Sequence, residues 1–269
     1  RCHHCGFESR VPKACPTCGN QDIQPFGRGT QRLEEVLTVR FPQARILRVD
    51  RDSAKSRKQW ELLVEQIHGG AADILVGTQM LAKGHDFPKL TLVGALGADA
   101  ALFAADWRAP ERLFAQLMQV AGRAGRAELP GEVLIQTEYP EHPLYAALVR
   151  HDYPAFANEQ LREREQAGFP PYTFQAMLRA ESPKMADALA FLATARAWPQ
   201  AGGHADVMLY DPVPMRLARR ANFERAQLLV ESPSRRALQA FLGEWGSALA
   251  AIKAPSRLRW HLEVDPLEF

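Results

Sequence analysis

The 269 residues exceed the ~150 of a typical domain, and 46% of them are apolar, enough for two ordinary cores. With 33 basic against 31 acidic side chains the formal net charge is +2, so any nucleic-acid-binding surface must be local rather than a property of bulk charge. No run approaches the ~18 apolar residues of a membrane span and no signal peptide is legible, so the chain reads as cytoplasmic with no membrane partner.

All four cysteines fall in the first 18 residues, as Cys2-x-x-Cys5 and Cys15-x-x-Cys18, each pair followed by glycine. Disulfides serving a whole secreted domain would not crowd in this way, whereas two C-x-x-C pairs offer the four thiolates of a tetrahedral structural Zn²⁺ site. His3 and His4 are then exposed residues of the first knuckle. The chain opens on Arg1 with the first pair at its second residue, which leads us to expect a piece of a longer protein.

Beyond a loop at Pro25–Gly29, the spacing of Leu33, Val36, Leu37 and Phe41 predicts a helix from Thr30 to Pro42. A strand at 45–49, a helix around 56–68 closed by Gly69-Gly70, strands at 73–76, 91–96 and 132–136, and a long amphipathic helix at 110–124 follow. This alternation predicts an α/β domain with a parallel sheet. Residues 143–168 read as charged helix, ended by Gly168-Phe169-Pro170-Pro171. The order then changes: strand 173–180, helix 183–198, strands near 207–210 and 226–231, helix 233–252, strand 258–264. That β-α-β-β-α-β order is the split βαβ pattern of an α+β sandwich. The expected organisation is a partial zinc-binding segment (1–24), an α/β domain (25–142) and an α+β domain (143–269).

Two segments carry chemistry beyond the cysteines. The first, Gln119-Val120-Ala121-Gly122-Arg123-Ala124-Gly125-Arg126, ends the long helix; its arginines are three apart, on one face, and its glycines let a phosphate or another backbone approach. A basic helix terminus complementing the dipole would need less pattern than this. The second runs from Asp73 through Thr78, Gln79, Lys83, Gly84 and Asp86 to Pro88, a strand delivering a polar loop to the carboxyl edge of a sheet, where α/β folds bind ligands.

Q-x-x-G-R-x-G-R resembles the sixth motif of superfamily 2 helicases, and the segment 73–88 is similar to motif V of the PriA family of primosomal replication-restart DNA helicases. The resemblance extends to Gly29-Thr30, Glu34-Glu35, Asp50-Arg51-Asp52, the stretch from Asp99 to Arg112, and Val264-Asp265-Pro266, so it covers essentially the whole chain. It implies the tail of a zinc-binding insertion, a RecA-like second helicase lobe and a C-terminal domain, acting as part of an ATP-dependent 3′–5′ helicase that remodels abandoned forks for primosome assembly. In that family eight cysteines hold two Zn²⁺ in interleaved pairs, so Cys2, Cys5, Cys15 and Cys18 would be the last four ligands. Arg123, Arg126 and Gln119 take the catalytic role, the arginines meeting the γ-phosphate of ATP; Gly84 and Asp86 serve the nucleotide; Thr78, Gln79 and Lys83 grip DNA. No G-x-x-x-x-G-K-[ST] and no D-E-x-H occur in these residues, so ATP and Mg²⁺ would be bound mainly by another lobe.

From Pro212 to Arg236 six arginines face two glutamates, a local excess of four. The resemblance makes Arg216, Arg219, Arg220 and Arg225 candidates for branched or single-stranded DNA. Arg235, Arg236 and Gln239, at the start of the helix after Ser232-Pro233-Ser234, suit a partner's acidic tail, since a helix N-terminus favours carboxylates, and the resemblance implies that this tail is that of single-stranded-DNA-binding protein. A non-catalytic zinc-ribbon scaffold binding DNA or proteins is the rival from another class.

Overall fold

The structure, a computed structural model, describes residues 14, 29–50, 56–78, 87, 89–104, 106–125, 130–198 and 204–267. The expected cysteine knuckles, Gln79, Lys83, Gly84, Asp86 and Arg126 lie outside the described residues. The chain forms two compact units that divide at Ala157/Asn158.

The first unit opens with α1 (Thr30–Arg40), β1 (Ile46–Val49), α2 (Arg57–His68) and β2 (Ile74–Gly77). α2 starts where the sequence supplies a capping box: Ser56 Oγ accepts from the Gln59 N–H and Gln59 Oε1 accepts from the Ser56 N–H, both at 3.2 Å. β1 and β2 pair in parallel, Ile46 against Ile74 through Val49 against Gly77. Their entry is tied by Arg45, which donates to Asp73 Oδ2 from its backbone N–H at 2.8 Å and from Nε at 2.9 Å, and to Oδ1 from Nη2 at 2.8 Å. α1 has the predicted helical spacing yet buries none of its residues.

The unit continues with β3 (Leu92–Ala95), α3 (Ala98–Leu102), α4 (Ala109–Ala121), β4 (Glu132–Ile135) and α5 (Pro143–Val149), and the division falls inside α6 (Tyr153–Ala167). β3 and β4 are also parallel, so the pairing expected from the alternation is present as two separate two-stranded ladders among the described residues. α4 carries Pro110 in its first turn, where a missing N–H costs nothing, and buries Leu113, Phe114 and Leu117 along one face. These join Leu144, Tyr145, Ala147 and Leu148 of α5 and Phe156 of α6, with Phe114 stacked on Phe156 at 4.1 Å. Residues 143–157 therefore belong with the first unit and not, as the sequence reading had it, with the C-terminal domain. The apolar stripe of α5 is satisfied by α4.

The second unit contains β5 (Phe174–Ser182), α7 (Met185–Ala197), β6 (Met208–Leu209), β7 (Val213–Arg220), β8 (Phe223–Ser232), α8 (Arg235–Ala251) and β9 (Arg259–Val264). The sheet runs β6-β8-β5-β9, with β7 also on β8, and every pairing is antiparallel. Alternate residues Ala176, Leu178 and Ala180 of β5 and Ala226, Leu228 and Val230 of β8 build one apolar face, packed by Phe191 and Leu192 of α7 and Phe241 and Trp245 of α8. Trp245 is fully buried and its Nε1–H donates to the Ala195 carbonyl at 2.9 Å.

β7 is a strand where the sequence reading placed none. Its arginines and Pro214 look like loop, but Pro214 is tolerated beside an irregular register between Pro214 and Arg219, and the tight turn to β8 is made by Ala221 and Asn222, both at positive φ (48° and 66°).

Candidate functional site

In the first unit the candidate residues lie where the chain leaves an element. Thr78 is exposed and directly follows β2, as a ligand-binding loop at the carboxyl edge of a parallel pair should. Asp50, directly after β1, is buried; its Oδ2 accepts from Thr30 Oγ1 at 3.1 Å and meets Arg48 Nη1 at 2.9 Å, while Arg48 Nε meets Glu34 at 3.0 Å. Thr30, Glu34 and Asp50, which the sequence singled out separately, thus form one polar cluster joining α1 to the end of β1.

Gln119 is exposed on the last turn of α4. The helix stops at Gly122, whose N–H still reaches the Met118 carbonyl, and Arg123 donates from its backbone to Val120 at 3.0 Å, so the arginine leaves on a tightened final turn. Gly125 then takes φ +70° and donates its N–H to the Leu90 carbonyl at 3.0 Å. That bond brings Gly125 of the arginine motif against Leu90, two residues past the segment 73–88; Leu90 itself donates to the Phe87 carbonyl at 3.0 Å, and Phe87 is buried. The approach is so close that a Cβ on Gly131, where the chain returns to β4, would overlap the backbone of Ala124 and Gly125.

A second polar knot closes the other parallel pair. Asp99 Oδ1 accepts from Thr137 Oγ1 at 2.5 Å and Tyr145 OH at 3.4 Å, and Oδ2 accepts from the Glu138 N–H at 2.8 Å. The Thr137 hydroxyl first, and then the Glu138 N–H, hold the Asp99 carboxyl below the usual carboxylate range. Before α4, Asp106 fixes the turn by accepting from the Arg108 N–H at 2.9 Å and from Arg112 Nη2 at 2.5 Å.

In the second unit the basic stretch is divided by the strands. Arg216, Arg219 and Arg220 are exposed on β7, with Arg219 Nε 3.7 Å from Glu224. Arg225 is instead held by Glu181 at 2.8 Å with its side chain only 12% exposed, which removes it from the free cations that the sequence grouped together. Arg235, Arg236 and Gln239 are exposed at the start of α8. Ser234 Oγ already accepts the Ala237 N–H at 3.2 Å, and Arg235 lies 4.8 Å over the Phe174 ring and 3.6 Å from Asp265. The sequence reading missed Arg257 and Arg259, whose guanidinium carbons sit 5.8 and 5.0 Å from the ring centre of Phe223. An R-x-R at the start of a strand was the available signal, but only the sheet order brings it to Phe223. Among the described residues no group of three His, Cys, Asp or Glu could hold a metal, and no helix is long and apolar enough to cross a membrane.

Residues 20–128 match the helicase conserved C-terminal domain, and residues 165–267 match the primosomal protein N C-terminal domain. The replication restart protein PriA of Haemophilus influenzae is 42% identical over 266 residues, covering 99% of this chain and 36% of that protein. Those of Bacillus subtilis (39% over 242 residues, 90% of this chain, 30% of that protein) and Synechocystis (40% over 275 residues, 99% and 32%) are similar. The chain spans about a third of the length of these curated relatives. With two matched domains and kinship running along nearly every residue, the chain belongs to the PriA family, in its C-terminal part.

Proposed function

We propose that these residues supply the second, RecA-like lobe and the C-terminal split-βαβ domain of an ATP-dependent 3′–5′ DNA helicase. Its role is to remodel stalled or abandoned replication forks so that a primosome can assemble and replication restart. The observation that carries this reading is the hydrogen bond from the Gly125 N–H to the Leu90 carbonyl, which ties the Q-x-x-G-R-x-G-R stretch beyond α4 to the chain just before β3, within a chain of PriA kinship.

On this reading Arg123 and Arg126 meet the γ-phosphate of ATP held with Mg²⁺ by another lobe, and stabilise the charge that develops there. Nucleotide hydrolysis supplies the free energy. Gln119, Gly84 and Asp86 report lobe closure to Thr78, Gln79 and Lys83 on the single strand. The two strand-end knots, Asp50 with Thr30 and Asp99 with Thr137, keep the edge rigid. Cys2, Cys5, Cys15 and Cys18 hold Zn²⁺, four thiolates sufficing for one tetrahedral ion at most. Arg235, Arg236 and Gln239 receive the acidic tail of single-stranded-DNA-binding protein, competing with Asp265 for Arg235. The setting is the bacterial cytoplasm, at the nucleoid.

The test is unwinding of a forked DNA by the full-length protein. ATP-dependent unwinding that needs a 3′ strand for loading is expected; tight fork binding without hydrolysis would favour the zinc-ribbon scaffold instead.

A further inference from the structure

We propose that Phe223 gathers Arg257 and Arg259, together with Arg220, into a clamp for the phosphodiester backbone of a single DNA strand at one end of the C-terminal sheet. The proposal rests on the DNA-directed reading above and adds to the basic stretch 212–236 two arginines, Arg257 and Arg259, that lie outside it.

The register defines the surface. Arg220 of β7 opposes Phe223 of β8, Arg225 of β8 opposes Glu181 of β5, and Glu181 opposes Arg259 of β9. Opposed residues share a face and so do residues two apart on a strand, which places Arg220, Phe223, Arg225, Glu181 and Arg259 together, away from the apolar face of Ala226 and Leu228. Glu181 is consumed by Arg225 at 2.8 Å. Arg220, Arg257 and Arg259 are exposed, and none has a carboxylate within ion-pair distance among the described residues.

Two guanidinium groups beside one ring call for a physical reason, because like charges disperse when nothing holds them. The ring quadrupole attracts both, at 5.0 and 5.8 Å, and unlike a carboxylate it does so without cancelling their charge. The N–H donors remain for an anion, and guanidinium forks match phosphate oxygens two at a time. From β7 to β9 the unpaired cations span three strand spacings, about 14 Å. A chain that repeats its negative charge suits that spread better than a single carboxylate, so charge complementarity selects a phosphodiester strand. Arg257 and Arg259 would contact phosphate directly, and Phe223 is a positioning residue.

The experiment measures binding of the full chain to fluorescent oligothymidylate across a salt series, for wild type, the double variant Arg257→Gln/Arg259→Gln, Phe223→Leu and Phe223→Tyr. Both arginines are exposed, so their replacement spares the fold, and circular dichroism verifies it. Losing two phosphate contacts should lower the slope of log affinity against log salt by about 1.4 and weaken binding about tenfold at low salt. Phe223→Leu should lower the slope in part, and Phe223→Tyr, which keeps the ring, should restore it. Wild-type affinity and slope in the double variant overturn the clamp while leaving the helicase reading to the unwinding assay. A wild-type chain that binds no oligonucleotide overturns both. A polyglutamate peptide that binds as tightly and is lost in the same variant overturns the phosphodiester assignment in favour of an acidic protein tail.

Discussion

In the first unit the buried side chains gather around α4, α5 and the start of α6, and the candidate residues stand just past element ends: Thr78 after β2, Asp99 after β3, Arg123 beyond α4. In the second unit the core spans the sheet and both helices, and the candidate cations sit on strands β7 and β9 and on the first turn of α8. On the proposed reading, the first arrangement relies on polar knots to aim groups at a ligand held outside the unit. The second is a stiff, apolar-cored platform whose edge can be charged freely. Mutations should therefore damage the second unit through packing and the first through positioning.

The largest stability effect is expected at Trp245. Replacing this fully buried side chain by alanine empties a large volume and orphans the Ala195 carbonyl, at a cost of about 3–5 kcal/mol. Chemical denaturation measures it, and a loss below about 1 kcal/mol would mean that the second unit is not held by its core.

Gly131→Ala strikes the first unit instead. The added Cβ cannot coexist with the Gly125 backbone, so the chain must shift where Arg123 is aimed. About 1–3 kcal/mol of stability should be lost, with a larger proportional fall in ATP hydrolysis by the full-length protein. Equal, small losses of both would argue that this loop is structural only.

Ser56→Ala removes one arm of the α2 capping box and should cost about 1 kcal/mol, read from the denaturation midpoint. The mildest test is the acid titration of Asp99. Its carboxyl is held below the ordinary range, so its contribution is present above that range and is lost as pH falls through the depressed value. Asp99→Asn should lower stability at neutral pH and flatten its fall in acid; an unchanged acid limb would remove Asp99 from the strand-end knot.

Local signals in the sequence foretold most elements. The helix expected around 56–68 is α2, the one expected at 110–124 is α4, which stops three residues early at Ala121, and apolar runs locate β1 to β5 to within about two residues. What escaped was decided at a distance. β7 is a strand because β8 offers it an edge, although its own arginines, Pro214 and irregular register argue against one. Residues 143–157 join the first unit because Phe114 stacks on Phe156, which no local breaker announces. Arg225 looks equivalent to Arg219 and Arg220 in the sequence, yet the β5–β8 register hands it to Glu181. The arginine motif was legible because its spacing is itself the signal, whereas the pairing of Phe223 with Arg257 and Arg259 exists only across strands.

The central claim is that the arginines of the Q-x-x-G-R-x-G-R stretch act on a nucleotide held elsewhere. It is tested most directly by steady-state ATP hydrolysis, with and without forked DNA, in the full-length protein carrying Arg126→Ala. The account predicts that DNA-stimulated hydrolysis falls about 10³-fold or more while DNA affinity is retained; a rate within a few-fold of wild type would contradict it.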